Sequence, residues 1–292
     1  MTRRGFSLAE LMVALVIAGI IGIALTRLII NQARFMAGQD GTMRARASAR
    51  AGFNVISQEL RMVTPGGLLA ASPDSITARV TFAAGIACSQ PSGGIQAVLL
   101  LPYDSATFAG ATVRGYAWRD AVGAWHFQEP ATFAGGAITG DCTGLTSPIP
   151  ATISPASDVT ASSAPAAGAF RVVRLQPNSV STPVGVPVYL YQRVRYELAP
   201  SVEISGRIAL WRTVLETMVR EELVAPFDTT FSAFAFLVGN RLSSQASPPA
   251  VLDSVRGIRL RLIGESEEQP QGRSTPSRFD LTTDIVFINR AN

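Results

Sequence analysis

Lysine is missing from this 292-residue chain, and all 25 basic residues are arginine. Cross-linking through lysine isopeptide bonds is therefore excluded. A base-composition bias accounts for the absence, alongside the abundance of Ala, Gly and Arg. Charged residues are scarce, 16% against 47% hydrophobic, so the chain can bury a sizeable core. The net charge of +4 comes from dispersed arginines, not from clusters with aromatics, and does not argue for specific nucleic-acid binding. Histidine occurs once, at His126, and cysteine twice, at Cys88 and Cys142, which leaves no zinc-type constellation. No G-x-S-x-G elbow, P-loop or H-E-x-x-H segment occurs. A Ser/His/Asp site would have to use His126, and the alternating segment "AWHFQEP" reads as a strand with a structural histidine. "ESEEQP", residues 265–270, lacks the alternating Asp/Asn and the Gly of an EF-hand loop and reads as a solvated hairpin loop. "REEL", with Glu221 and Glu222, is equally plain. The expectation is a protein that is not an enzyme, with no catalytic residue, metal or cofactor.

What the chain does have is one long apolar run near its start, "RRGFSLAELMVALVIAGIIGIAL", residues 3–25. Arg3 and Arg4 form a short positive region, which fits a cytoplasmic amino terminus with the following chain exported. As a helix, Phe6 to Ile30 would span roughly 37 Å, enough to cross a bilayer. No A-x-A cleavage site follows, so the run reads as a retained anchor. Glu10 is out of place there. A carboxylate at the centre of a membrane helix costs roughly 2.5–3.5 kcal/mol on insertion scales, and less near the end. Its own chain offers only Arg3 and Arg4, beyond Gly5. A cut after Gly5 would give Phe6 a free ammonium, able to pair with the Glu10 of a neighbouring molecule.

"RRG" followed by "FSLAELMVALVI" resembles the class III signal of type IV pilins and type II secretion pseudopilins. The elements are a short basic leader, Gly before the cut, Phe after it, Glu at the fifth mature position and an unbroken apolar helix. The resemblance implies cleavage between Gly5 and Phe6 by a prepilin peptidase and N-methylation of Phe6. It also implies that Glu10 guides register or docking during assembly.

Helical sequence is expected to continue to about Val63, since no proline precedes Pro65. Phe53, Ile56, Leu60 and Val63 recur at helical spacing, Arg46, Arg50, Glu59 and Arg61 are expected on the solvated side, and "TPGG" ends the helix. Gly38 and Gly41 mark an expected bend or loosened turn. Beyond Pro65 the pattern becomes β-rich. Strands are expected in "ITARVTF", "IQAVLLL", "TVRGYAWRD", "GAWHFQ", "FRVVRL", "VPVYLYQRVRYEL", "RIALWRTVLE", "GIRLRLIG" and "FDLTTDIVFI". Alternation in "IRLRLIG" predicts a sheet with one wet face, and in "QRVRYEL" it puts Arg193 and Arg195 in solvent. The Ser/Thr/Pro/Ala-rich residues 143–169 read as an extended surface loop. Cys88 and Cys142 lie in Gly/Ser/Pro-rich sequence, and an exported head makes a disulfide the natural expectation, with two free thiols as the alternative. Closing a loop of about 55 residues would contribute roughly 4 kcal/mol in the chain-entropy model.

The expected class is α+β: a leader at 1–5, a transmembrane half-helix at 6–30, a periplasmic half-helix at 31–63 and a β-rich head at 64–292. The order "YQRVRYEL…ALWRTVLE", "VAPFDTTFSAFAF", "IRLRLIG…FDLTTDIVFINR" resembles PilW-like minor pilins and J-type minor pseudopilins. This implies a minor pilin near the pilus tip that primes or caps assembly. Its partners would be the prepilin peptidase, other minor pilins, the major pilin and the inner-membrane assembly platform. It would sit in the inner membrane with a periplasmic head before assembly, and in the pilus at the cell surface afterwards. A J-type pseudopilin of type II secretion is the alternative within the same class. An adhesin or DNA-binding head is the alternative from another class, with Arg114, Arg119, Trp118 and Trp125 as the nearest DNA candidates.

Overall fold

The computed structural model describes residues 8–90, 93–100, 111–133, 142, 171–228, 230, 232–271 and 273–287. A single helix, α1 (Leu8–Leu60), carries the chain from the apolar run into the head. Its lower part, from Leu8 to Met36, is exposed wherever side chains are described; its upper part packs on a sheet. The chain then turns, with Gly66 at φ +75°. The strands follow as β1 (Leu68–Ala71), β2 (Ser75–Ser89), β3 (Gln96–Leu100), β4 (Gly115–Arg119), β5 (Trp125–Gln128), β6 (Thr132–Phe133) and β7 (Arg171–Gln176). The second half adds β8 (Pro187–Pro200), β9 (Ile208–Val214), β10 (Val219–Phe227), β11 (Ala233–Val238), β12 (Ser243–Gln245), β13 (Val255–Glu265) and β14 (Arg278–Val286). The α+β expectation holds: one long apolar helix is packed on a large β-rich domain.

All described pairings are antiparallel, in one sheet of order β12-β11-β13-β10-β9-β8-β2-β3-β7-β6. Strands β2 and β8 form its spine, pairing from Ser75↔Glu197 to Ile86↔Pro187. They serve two cores. The first half of β2 and the second half of β8, with β9, β10, β11 and β13, close over α1. There Ala49, Ile56 and Leu60 meet Ile76, Val194, Leu210, Phe227 and Leu262. The opposite ends of β2 and β8, with β3, β4 and β7, enclose a second cluster of Ala87, Val98, Tyr116, Val173, Leu175 and Leu190. That second cluster includes no helix residue.

Small residues set how closely α1 approaches. Ala45 and Ala49 are fully buried, and a Cβ on Gly264 of β13 would overlap the Ala45 carbonyl oxygen. A Cβ on Gly52 would meet Leu262 at 2.9 Å and Phe227 at 3.0 Å. At Gly38 and Gly41, where a bend or loosened turn was expected, α1 continues as unbroken helix. These glycines admit the β13–β14 connection, whose Ser277 and Pro270 would crowd a Cβ on Gly41. The wet face is present. Arg259 and Arg261 point outward from β13 and pair with Asp284 and Asp280 of β14 at 2.6 Å each.

The expected strands are present but run to different bounds, and others were not anticipated. β2 extends through "AAGIACS", because small residues let two sheet neighbours pair with it. β10, with "REEL" at its start, and β11 were not singled out as strands; β10 carries a run of exposed polar residues before its buried end.

Candidate assembly site

The residues expected to be processed, Arg3, Arg4, Gly5 and Phe6, lie outside the described residues, as does the loop 143–169. Glu10 stands in the first turn of the described helix. Above it the most apolar 18-residue stretch of α1 has mean hydropathy 2.6, and none of it is buried. An uncovered apolar helix of this length is long and apolar enough to cross a membrane, and it is not a core helix of the head.

The head grips the upper helix at its far end through a polar clamp. Glu59 pairs with Arg212 at 3.2 Å and accepts a hydrogen bond from the Tyr196 hydroxyl. The expectation that Glu59 is solvated is corrected: it is half-buried, and its partners arrive from β8 and β9, over 130 residues away. Burial pushes the Tyr196 hydroxyl up, and the Glu59 charge pushes it further. For Arg212 burial is the largest single influence and pulls the other way, but the charges and hydrogen bonds of Glu59 and Tyr196 together outweigh it and the guanidinium is raised. Arg46, Arg50 and Arg61 are exposed as expected, with Arg46 lying 4.8 Å over the Phe279 ring.

A second clamp joins the helix exit to the second core. Glu129 accepts hydrogen bonds from Arg79 at 3.0 and 3.1 Å and from Arg114 at 2.8 Å, with Arg193 at 3.7 Å. Arg79 also donates to the Gly66 carbonyl at 2.7 Å and lies 4.6 Å over the Phe127 ring. Desolvation acts to raise the Glu129 carboxyl, but hydrogen bonds from Arg114 and Arg79 outweigh it and hold the group below its ordinary range. Arg193 is therefore not a solvated strand residue. It is engaged by Glu216 at 2.9 Å as well as by Glu129, whereas Arg195 is exposed. Burial pushes the nearby Tyr116 hydroxyl up to about 12, opposed by its hydrogen bond with Thr182.

Of the remaining candidates, Trp118, Arg119, Trp125 and His126 share the β4–β5 hairpin, where Arg119 and Trp125 line one open cavity. His126 stacks on its cross-strand neighbour Trp118 at 4.4 Å and meets Asp120 at 2.9 Å. Those contacts orient a hairpin and add no nucleophile. The four DNA candidates do not make one groove. Arg114 is spent on Glu129, Trp118 is buried, and Arg119 donates to the Gly123 carbonyl while Trp125 tilts against Tyr189. In "ESEEQP" the solvated reading holds for Glu267 and Glu268. It is corrected for Glu265, which is buried and paired with Arg207 at 2.5 Å and Arg278 at 2.8 Å. Among the described residues no group of three His, Cys, Asp or Glu could hold a metal ion. Cys88 and Cys142 are joined in a disulfide, packed with Leu99 and Val172 beside the second core. Neither clamp has a local signature in the sequence, because each is made between segments far apart in the chain.

Residues 1–26 match the family model described as the prokaryotic N-terminal methylation motif. The amino end thus carries a motif that supports a type IV pilin-like or pseudopilin protein. The motif implies processing by a prepilin peptidase, and the exposed helix that continues from it fits membrane anchoring and a place in a pilus. No curated protein and no solved structure matches the chain.

Proposed function

We propose that the chain is a minor pilin, cut between Gly5 and Phe6 by a prepilin peptidase, methylated at Phe6 and built into a type IV pilus near its tip. The observation that carries this reading is the methylation motif continuing directly into an uncovered apolar helix whose upper half is locked to a head. Before assembly the helix spans the inner membrane and the head is periplasmic. During assembly it meets other minor pilins and the major pilin on the inner-membrane platform, and Glu10 is neutralised by a neighbour's new amino terminus. The head fixes the order of subunits and performs no chemistry.

The deciding experiment is co-expression with a prepilin peptidase, followed by mass analysis of the amino-terminal peptide. A product starting at methylated Phe6 supports the reading. An intact Met1, with a control pilin processed in the same cells, overturns it. Replacing Gly5 with a bulky residue is expected to abolish cleavage, read as an unchanged full-length mass. Glu10→Ala is expected to leave cleavage intact while sharply lowering recovery in sheared pili. Equal recovery of mutant and wild type would remove Glu10 from assembly. A processed chain that never appears in sheared pili would instead be a secretion pseudopilin.

A further inference from the structure

Three arginines without an acidic partner share one stripe of α1 below the head. Arg27 and Arg34 are exposed and seven residues apart, so two helical turns bring them back within about 20° of each other. Arg273, from the β13–β14 connection, rests on the same stripe one turn higher; its Nη2 would stand 3.6 Å from a Cβ on Gly38. Among the described residues none of the three makes an ion pair. The arginines on other faces nearby are occupied: Arg44 by Asp40 at 3.1 Å and Arg46 by the Phe279 ring. Of the exposed arginines without an acidic partner, Arg27, Arg34 and Arg273 are the ones that lie together next to the apolar run; Arg50 and Arg61 stand higher, at the level of the head.

That line coincides with the membrane boundary. A hydrocarbon core of about 30 Å takes roughly 20 helical residues, so a span entered near Leu8 ends near Arg27. The headgroup layer adds roughly 5–8 Å on each side. Arg34 starts about 10 Å above Arg27, and helical side chains lean toward the helix amino terminus, here toward the membrane. Arg273 is about one turn higher still, roughly 9–12 Å above the layer and just beyond a Debye length of about 8 Å, so its pull on the headgroups is the weakest of the three. Export of the head also places these arginines on the outward side, against the usual bias of positive charge toward the cytoplasm. Phosphate oxygens compensate that placement, because the guanidinium fork binds them in pairs of hydrogen bonds.

We propose that Arg27, Arg34 and Arg273 form a phosphate-binding stripe that seats the base of the head on anionic phospholipid headgroups of the outward leaflet. The proposal rests on the membrane-anchored reading of α1. The head is thereby held at a fixed height and rotation before it is drawn into an assembly.

The full chain, reconstituted in nanodiscs of equal phosphatidylglycerol and phosphatidylcholine, tests both statements separately. Co-migration of protein with discs reads the anchor; a chain that stays outside the discs defeats the anchor and the stripe with it. Native mass spectrometry of inserted protein then counts the lipids retained. Wild type is expected to retain phosphatidylglycerol preferentially. Arg34→Gln should reduce that preference about fivefold, Arg273→Gln less, and Arg34→Lys should keep most of it. Arg50→Gln, exposed on a different face above the boundary, should leave it unchanged. An inserted Arg34→Gln protein with wild-type preference overturns the proposal, as does an equal loss in Arg50→Gln.

Discussion

Gly264→Ala is expected to lower the melting temperature of the head by roughly 6–12 °C, the equivalent of about 3 kcal/mol in a domain of this size. The new methyl group would overlap the Ala45 carbonyl oxygen and lie 3.1 Å from the Ala49 amide. Both belong to helix backbone, so no side-chain rotation relieves the clash. Either α1 lifts from β13, opening the core around Ile56 and Leu262, or the strand bends and breaks its pairing with β14. Gly38→Ala is the control. Its methyl group would meet only the Arg273 guanidinium, at 3.6 Å, and Ala is the better helix former by about 1 kcal/mol. A thermal melt of the full chain in detergent, followed by near-ultraviolet circular dichroism, separates the two. Similar melting for Gly264→Ala and wild type would mean that α1 does not sit on β13 as described.

Glu129→Gln should cost about 2–4 kcal/mol, somewhat below the range for breaking a fully buried ion pair because Arg114 and Arg193 are partly solvated. The neutral amide leaves Arg79 and Arg114 crowded together without a counter-charge, while Arg193 keeps Glu216. The pH dependence follows from the direction of the shift. Glu129 is held below its ordinary value of 4.5, so its contribution is complete above that value and is lost as pH falls through the lower folded value. Chemical denaturation of wild type should therefore show stability declining below about pH 4.5, with a shallower decline in Glu129→Gln. Asp120 and Asp284 are also held low, by His126 and Arg259, so some acid sensitivity remains in the variant. A variant as stable as wild type at neutral pH, or with the same acid slope, would show that the three arginines do not depend on this carboxylate.

What could be read before folding was whatever repeats locally. The apolar run, the spacing of Phe53, Ile56 and Leu60, and the Arg/apolar alternation of β13 each report the face a residue occupies, and those faces are where the structure puts them. Glu59 was misread for the same reason. It neighbours a buried face, and only the arrival of Tyr196 and Arg212 from distant strands decides that it turns inward. Glu129 and its three arginines are drawn from β2, β8 and the segments flanking β4 and β5, and nothing in any one segment announces the others. Gly264 reads as an ordinary strand end until the helix is laid against it. Gly38 and Gly41 suggested flexibility in the sequence; the use the structure shows for them is room for a neighbour.

The division of the head into two cores has a mechanical consequence. Traction along α1 enters the head through Ala45, Ala49 and Gly264 and through the Glu59–Arg212 pair, all on the helix-bearing core. Because α1 lies along its contact with β13, such a load acts in shear over many contacts together and does not peel strands away singly. The disulfide-closed lobe has no residue of α1 in its core, so that force does not enter it directly. It would travel as an unloaded passenger, free to differ in loops and surface chemistry without weakening the part that bears the strain.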